Sequence, residues 1–223
     1  MDGAHKLVWH EEILPPKTKK ALAFLSQAPW LKKTEWYLAG GTALALQLGH
    51  RQSEDLDFFL PASGFFQPGL IKKFPKQAFK PGLLAEGTVY ATLFGGKISF
   101  IAYPFFLPKC EPLWHGAVRV LAPRDIAIMK IIAISQRGRK RDFLDLYWYA
   151  KNFEPLEDLF KLLPKQYPMV RHNYHHMFKS LMFFDDAEKD KMPPLFIDVS
   201  WKEIKAYFER ESPKASRKFL GLD

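Results

Sequence analysis

WYLAGGTALALQLGHRQSEDLDFFL, residues 36–60, reads as strand, glycine turn, short helix, turn and a second strand. Trp36 to Ala39 is a short apolar run broken by Gly40-Gly41, the signature of a strand entering a tight turn. Thr42 is placed to cap a helix over Ala43–Leu48, and Gly49 to end it. From Ser53 the pattern alternates, with Asp55 and Asp57 on one face and Leu56, Phe58 and Leu60 on the other. Two carboxylates on one face of an apolar strand are costly unless a cation meets them. For two hard oxygen ligands the natural cation is Mg²⁺. The glycine turn before a helix N-terminus offers backbone N–H groups to a phosphate. A phosphate cradle beside a metal strand is equipment for nucleotide chemistry.

Outward from this stretch, composition sets the limits. The chain has 223 residues, 48% of them hydrophobic and 15% aromatic, which argues a folded protein with a sizeable core. It carries 33 basic and 24 acidic residues, a formal charge of +9, which favours polyanions. The lone Cys110 leaves no internal disulfide framework and fits a reducing cytoplasm. The first residues, MDGAHKLVWHEEIL, lack the apolar core of a signal peptide. No apolar run approaches the roughly 18 residues needed to span a bilayer, so no membrane partner is expected.

Residues 1–14 read as peripheral. A helix is expected over Lys17–Gln27 after Pro15-Pro16, and another over Pro68–Phe79. Glu86–Phe94, Gly95-Gly96 and Lys97–Tyr103 form a hairpin signal. Its second strand sets Ile98, Phe100 and Ala102 against Ser99, Ile101 and Tyr103. Helices follow over Arg124–Arg137 and Arg141–Ala150. Lys130 and Arg137, seven apart, share a face of the first; Lys130 reads either as a snorkelling lysine or as a fixed charge in a site. Asp142 and Asp145 lie three apart on the second helix, where Arg141 can pair with Asp145 at i,i+4. Further helices are expected over Leu156–Leu163, over His172–Phe184 and from Trp201. His172, His175 and His176 share a helix face but lack partners at a metal spacing, so a mixed surface or RNA-facing cluster is the default and zinc the alternative. The acids Asp185, Asp186 and Glu188 read as a solvated loop, with a role at a site rim or towards a partner left open.

At the Gly40-Gly41-Thr42 turn and Asp55-x-Asp57, the chain resembles the nucleotidyltransferases of the DNA polymerase β superfamily. Adding Lys130 and Arg141-Asp142-x-x-Asp145-Leu146, it resembles more narrowly the AbiEii/AbiGii toxin family. The resemblance covers residues 36–60 and 121–150 well. It implies an α+β, polymerase β-like fold: a small mixed sheet with flanking helices, then a helical lobe. The nucleotidyltransferase core with its N-terminal helix would occupy 1–120, and the mostly helical lobe 121–223. It also implies a Mg²⁺-dependent enzyme that moves NMP from NTP to an RNA (tRNA in some relatives) or protein acceptor. Such an enzyme would be a type IV or phage-abortive toxin restrained by a cognate antitoxin. Gly40, Gly41, Thr42, Arg51, Lys130 and Arg137 would contact the nucleotide, and Asp55 and Asp57 the metal. Asp55, Asp57, Lys130 and Asp142 would form the catalytic set, with Asp145 in support. The superfamily often has a third carboxylate on the strand after the hairpin, where this chain has Ile98-Ser99-Phe100. Glu86, at the start of the preceding strand, could substitute, although a solvent-facing strand end is the reading that burial statistics favour. Two other classes stay open: a nucleotide- or RNA-binding relative with reduced catalysis, and a small-molecule nucleotidyltransferase.

Overall fold

The computed structural model describes residues 8–222. Its first half runs α1 (Pro16–Ser26), α2 (Pro29–Lys32), β1 (Tyr37–Ala39), α3 (Gly40–Leu48), β2 (Leu56–Leu60), α4 (Gln67–Ile71), β3 (Phe79–Ala85), β4 (Thr88–Leu93) and β5 (Gly96–Ala102). Then come β6 (Leu113–His115), β7 (Val118–Val120), α5 (Pro123–Arg137), α6 (Lys140–Asn152), α7 (Leu156–Gln166), α8 (Tyr174–Ser180), α9 (Asp185–Glu188) and α10 (Trp201–Leu220). The strands form one mixed sheet in the order β3-β4-β5-β2-β1-β7-β6. The fold is thus α+β, a mixed sheet with flanking helices followed by helices.

Strand alternation sorts the sheet into a core face and a site face. Parallel pairing of β2 with β5 sets Asp57 opposite Ser99 and Phe58 opposite Phe100. Phe58 and Phe100 are fully buried and stack at 5.1 Å; burying each ring contributes about 1.5–3 kcal/mol. Asp57, Phe59, Ser99 and Ile101 point the other way, into a cleft roofed by α5. One continuous hydrophobic cluster reaches from Ile13 to Ala215.

Several expectations need correction. Of the stretch 1–14 expected to be peripheral, residues 1–7 lie outside the described residues, and the rest is tied to the core: Ile13 and Leu14 are buried, and His10 N–H donates to Leu46 O at 2.8 Å. Thr42 does not cap α3, because the helix begins two residues earlier at Gly40, with Ala39 in the capping position. The helix expected to reach Phe79 stops at Ile71, and Phe79–Ala85 is instead a strand. Pro75 withdraws an N–H and disfavours helix at Phe74. Pro81 is tolerated in β3 because that strand lies at the sheet edge. Glu86 falls in the β3–β4 turn, exposed, and not on a strand. The helix expected over 172–184 is cut to Tyr174–Ser180, where Asn173 caps it by accepting from His176 N–H at 3.0 Å. The acids near 185–190 hold ion pairs: Asp186 with Lys189, Glu188 with Lys205, Asp190 with Arg139.

Candidate active site

The α3 start packs against the end of β2. Gly40 takes φ +72°, and a Cβ there would lie 3.2 Å from Asp57 Oδ2. A Cβ on Gly41 would lie 2.2 Å from Arg51 Nη2, so that position is restricted to glycine unless the guanidinium moves. Helix starts leave their first backbone N–H groups without intrahelical partners. Here those groups border a cleft of about 560 Å³ lined by Gly40, Gly41, Asp55, Asp57, Lys130 and Arg137, among others. Thr42 Oγ1 also lines it, 2.8 Å from Ser53 Oγ.

Asp57 is half-buried beside Asp55. Burial pushes its carboxyl above the ordinary range, a hydrogen bond from Ser99 opposes this, and the Asp55 charge adds to it. Ser99 Oγ donates to Asp57 Oδ1 at 2.7 Å, in the place where the superfamily pattern would set a third acid. Asp55 Oδ1 is buried and accepts no hydrogen bond. Its nearest cations are Lys97 Nζ at 3.7 Å and Arg141 Nη1, which lies 3.4 Å from Oδ2. A carboxylate oxygen that accepts no hydrogen bond, beside a second carboxyl whose charged form burial and a like charge disfavour, fits a hard divalent cation. Among the described residues no group of three or more His, Cys, Asp or Glu side chains gathers. The site therefore offers two carboxylates, and the three histidines make no metal cluster. His172 and His176 bond to the backbone oxygens of Tyr167 and Ser135.

Behind the cleft lies a buried charge network. Lys130, only 4% exposed, places Nζ 2.7 Å from both Asp142 Oδ1 and Asp145 Oδ2. It is enclosed and does not snorkel. Arg51 grips Asp145 with two bonds, Nε to Oδ1 at 2.6 Å and Nη2 to Oδ2 at 2.8 Å. His50 Nε2 donates to Asp145 Oδ1 at 2.8 Å. Arg137 reaches Asp142 Oδ2 at 3.2 Å from the rim. Against the cost of burial, the charges of Arg51 and Lys130 hold Asp145 well below the ordinary carboxylate range. Lys130 and Arg137 do the same, less strongly, for Asp142. Burial lowers the His50 pKa, so its ring is neutral. The i,i+4 pair expected between Arg141 and Asp145 does not form: Arg141 turns to Asp55, and Asp145 faces inward to Arg51.

The structure thus brings Gly40, Gly41, Thr42, Asp55, Asp57, Lys130, Arg137 and Asp142 to one cleft, with Arg51 between cleft and network. Glu86 is not among the lining residues. Sequence reading missed His50, Lys97 and Tyr90. Only Lys97 and Tyr90 had a usable signal, since they share strand parity with Ser99 across the hairpin.

Residues 23–86 and 101–221 match the family described as "Nucleotidyl transferase AbiEii toxin, Type IV TA system". The chain belongs to the AbiEii nucleotidyltransferase toxin family. An uncharacterized protein of Aquifex aeolicus (strain VF5) is 34% identical over 181 residues, 79% of this chain and 86% of that protein. The crystal structure of JHP933 from Helicobacter pylori shares the fold, with a TM-score of 0.54 at 18% identity, covering 94% of this chain and 96% of that one. MenT4, a nucleotidyltransferase toxin of Mycobacterium tuberculosis H37Rv, superposes with a TM-score of 0.47 at 14% identity, covering 91% of this chain and 88% of that one. As an AbiEii-family member the chain is a nucleotidyltransferase. Among the described residues no helix is long and apolar enough to cross a membrane.

Proposed function

We propose that this AbiEii-family chain transfers NMP from an NTP to an acceptor hydroxyl on RNA or protein, as a cytoplasmic toxin restrained by a cognate antitoxin. The observation that carries the reading is the convergence of the Gly40–Gly41 helix start, the Asp55–Asp57 pair and Lys130 on one cleft. The acceptor oxygen bonds to the α-phosphorus, pyrophosphate leaves, and the acceptor proton passes to solvent. Such transfer needs mainly alignment and charge neutralisation. Backbone N–H groups at Gly40, Gly41 and Thr42 receive the β- and γ-phosphates. Lys130 spends two of its three N–H donors on Asp142 and Asp145 and keeps one for a phosphate. Asp142 and Asp145 fix the position of that charge, and Arg51 fixes Asp145. Arg137 adds a mobile cation at the rim. Asp55 and Asp57 would hold Mg²⁺, which when bound neutralises phosphate charge and polarises the α-phosphorus. A functional division near residue 120 agrees with a cleft lined from the sheet on one side and α5 on the other.

Incubation with each [α-³²P]NTP, Mg²⁺, total RNA and protein tests the reading. Label should appear on a macromolecule, require Mg²⁺ and vanish in Asp57→Ala with its circular dichroism spectrum intact. Undiminished transfer by that variant would overturn the site. One observation favours a second reading, a relative with reduced catalysis: Ser99 stands where a third acid would help hold metal. NTP binding with no labelled product of any kind would select it, and label only on a small molecule would point to the antibiotic-modifying class.

A further inference from the structure

The excess positive charge of the chain is confined to two stretches. Residues 13–34 and 58–110 hold eleven lysines and one acid, Glu86, while the rest of the chain holds 22 basic and 23 acidic residues. The second stretch builds α4 and the β3–β4–β5 end of the sheet, against which α1 packs. Strand register lines its side chains up. Lys80 on β3 lies opposite Thr92 on β4, and Thr92 lies opposite Lys97 on β5. Tyr90 lies opposite Ser99. All four therefore share the face that carries Asp57 and Ser99. The reverse face is closed by the buried Val89, Leu93 and Phe100, whereas Tyr90 is 45% exposed.

This face has the chemistry of a polynucleotide surface. Lys80 is exposed on it, and Lys17 on α1 and Lys72, Lys73 and Lys76 in the α4–β3 connection are exposed at this end of the molecule; none of the five has an ion-pair partner among the described residues. Lys20 Nζ sits 4.9 Å over the Phe94 ring. A groove of about 480 Å³ runs between Gln77, Lys80, Thr92 and Phe94. Unpaired cations release counterions when phosphates replace them, and an exposed tyrosine ring gives a stacking platform to an unpaired base. A duplex would keep its bases from Tyr90. Lys97, already at the cleft through Asp55, joins the two regions.

We propose that the β3–β4–β5 face, from Lys80 past Thr92 and Tyr90 to Lys97, is a track for a single-stranded polynucleotide whose terminal hydroxyl enters the cleft. Two inter-strand spacings make the track about 10 Å wide. The cleft end of this proposal rests on the transfer reading; binding along the face does not.

The test uses the full chain with a fluorescein-labelled single-stranded oligoribonucleotide, titrated at several salt concentrations, and a fluorescent NTP analogue in parallel. The variants are Lys80→Glu and Tyr90→Ala. Loss of one phosphate contact in the lysine variant should weaken oligonucleotide binding about fivefold and lower the salt slope by about 0.7, with NTP affinity unchanged. Tyr90→Ala should weaken it about tenfold. Oligonucleotide affinity unchanged in the lysine variant would overturn the track. So would poly-L-glutamate binding as tightly as the oligonucleotide with Tyr90→Ala affecting neither, since the face would then suit an acidic protein. Failure of the wild type to bind or transfer NTP would sink the transfer reading instead, and the oligonucleotide titrations would still judge the track.

Discussion

Asp145 accepts from Arg51, Lys130 and His50 while fully buried. Removing its charge strands two buried cations, so Asp145→Asn is expected to cost about 3–5 kcal/mol, read from urea unfolding. A loss under about 1 kcal/mol would mean that the network is solvated. Ser99 gives a sharper test of the metal site. In Ser99→Asp a third carboxylate takes the place of the hydroxyl that now lies 2.7 Å from Asp57, and like charges repel without a cation. That variant should melt below wild type in EDTA and gain more from added Mg²⁺ than wild type does. An equal Mg²⁺ shift in both proteins would remove Asp57 from the metal site. At this scale the sequence exposed residues that line the cleft, and Asp145 behind it, but not the bonds that hold Asp145. Gly40, Asp55 and Asp57 sit within one short motif, so local spacing reveals them. The hold of Arg51 and His50 on Asp145 spans 94 and 95 residues, and no periodicity encodes it.

The elements show where local pattern suffices. The strand, glycine turn and helix from Trp36 were legible because breakers and alternation lie within single elements. Strand β3 was not: Phe79–Ala85 is exposed except at Phe79 and contains Pro81 and Gly82, so it shows neither alternation nor an apolar run. Pairing with β4 overrides that weak propensity. The α3 start carries a prediction of its own. Gly40 needs φ +72°, and a methyl group added there would meet Asp57 Oδ2 at 3.2 Å. Gly40→Ala should cost about 1–2 kcal/mol through left-handed strain and weaken NTP binding by disturbing the phosphate end of the cleft. Thermal melts and NTP titration measure the two effects separately. An alanine variant with both unchanged would show that the turn does not need glycine. A C-terminal segment also supports this region: Gln52 N–H donates to Pro194 O at 2.9 Å and Phe196 N–H to His50 O at 3.1 Å. The link clamps the backbone of His50–Gln52, a role no feature of residues 194–196 announces.

For the whole molecule, the buried network ties stability to pH. Asp145 in the folded chain binds a proton only well below 3.8, its ordinary value, whereas the unfolded chain binds one near that value. The stability it contributes is therefore complete above the ordinary value and lost as pH falls towards the folded one. His50 acts earlier with the same sign. Its folded pKa is lowered from 6.5 by burial, so the unfolded chain takes up a proton first as pH drops through that value. Asp57 opposes both, because its raised pKa lets the folded chain bind a proton more readily than the unfolded one. Asp142, whose carboxyl is also held below its ordinary value, acts with Asp145, so three groups against one give a net loss on acidification. The melting temperature should be level above about pH 7, fall gently below about 6.5, and fall steeply below about 4. Each unmatched proton contributes at most about 1.4 kcal/mol per pH unit. His50→Gln should flatten the first limb and Asp145→Asn the second, at a lower starting stability. A profile that keeps both limbs in both variants would place the acid sensitivity outside the network and leave Lys130 without its proposed buried support.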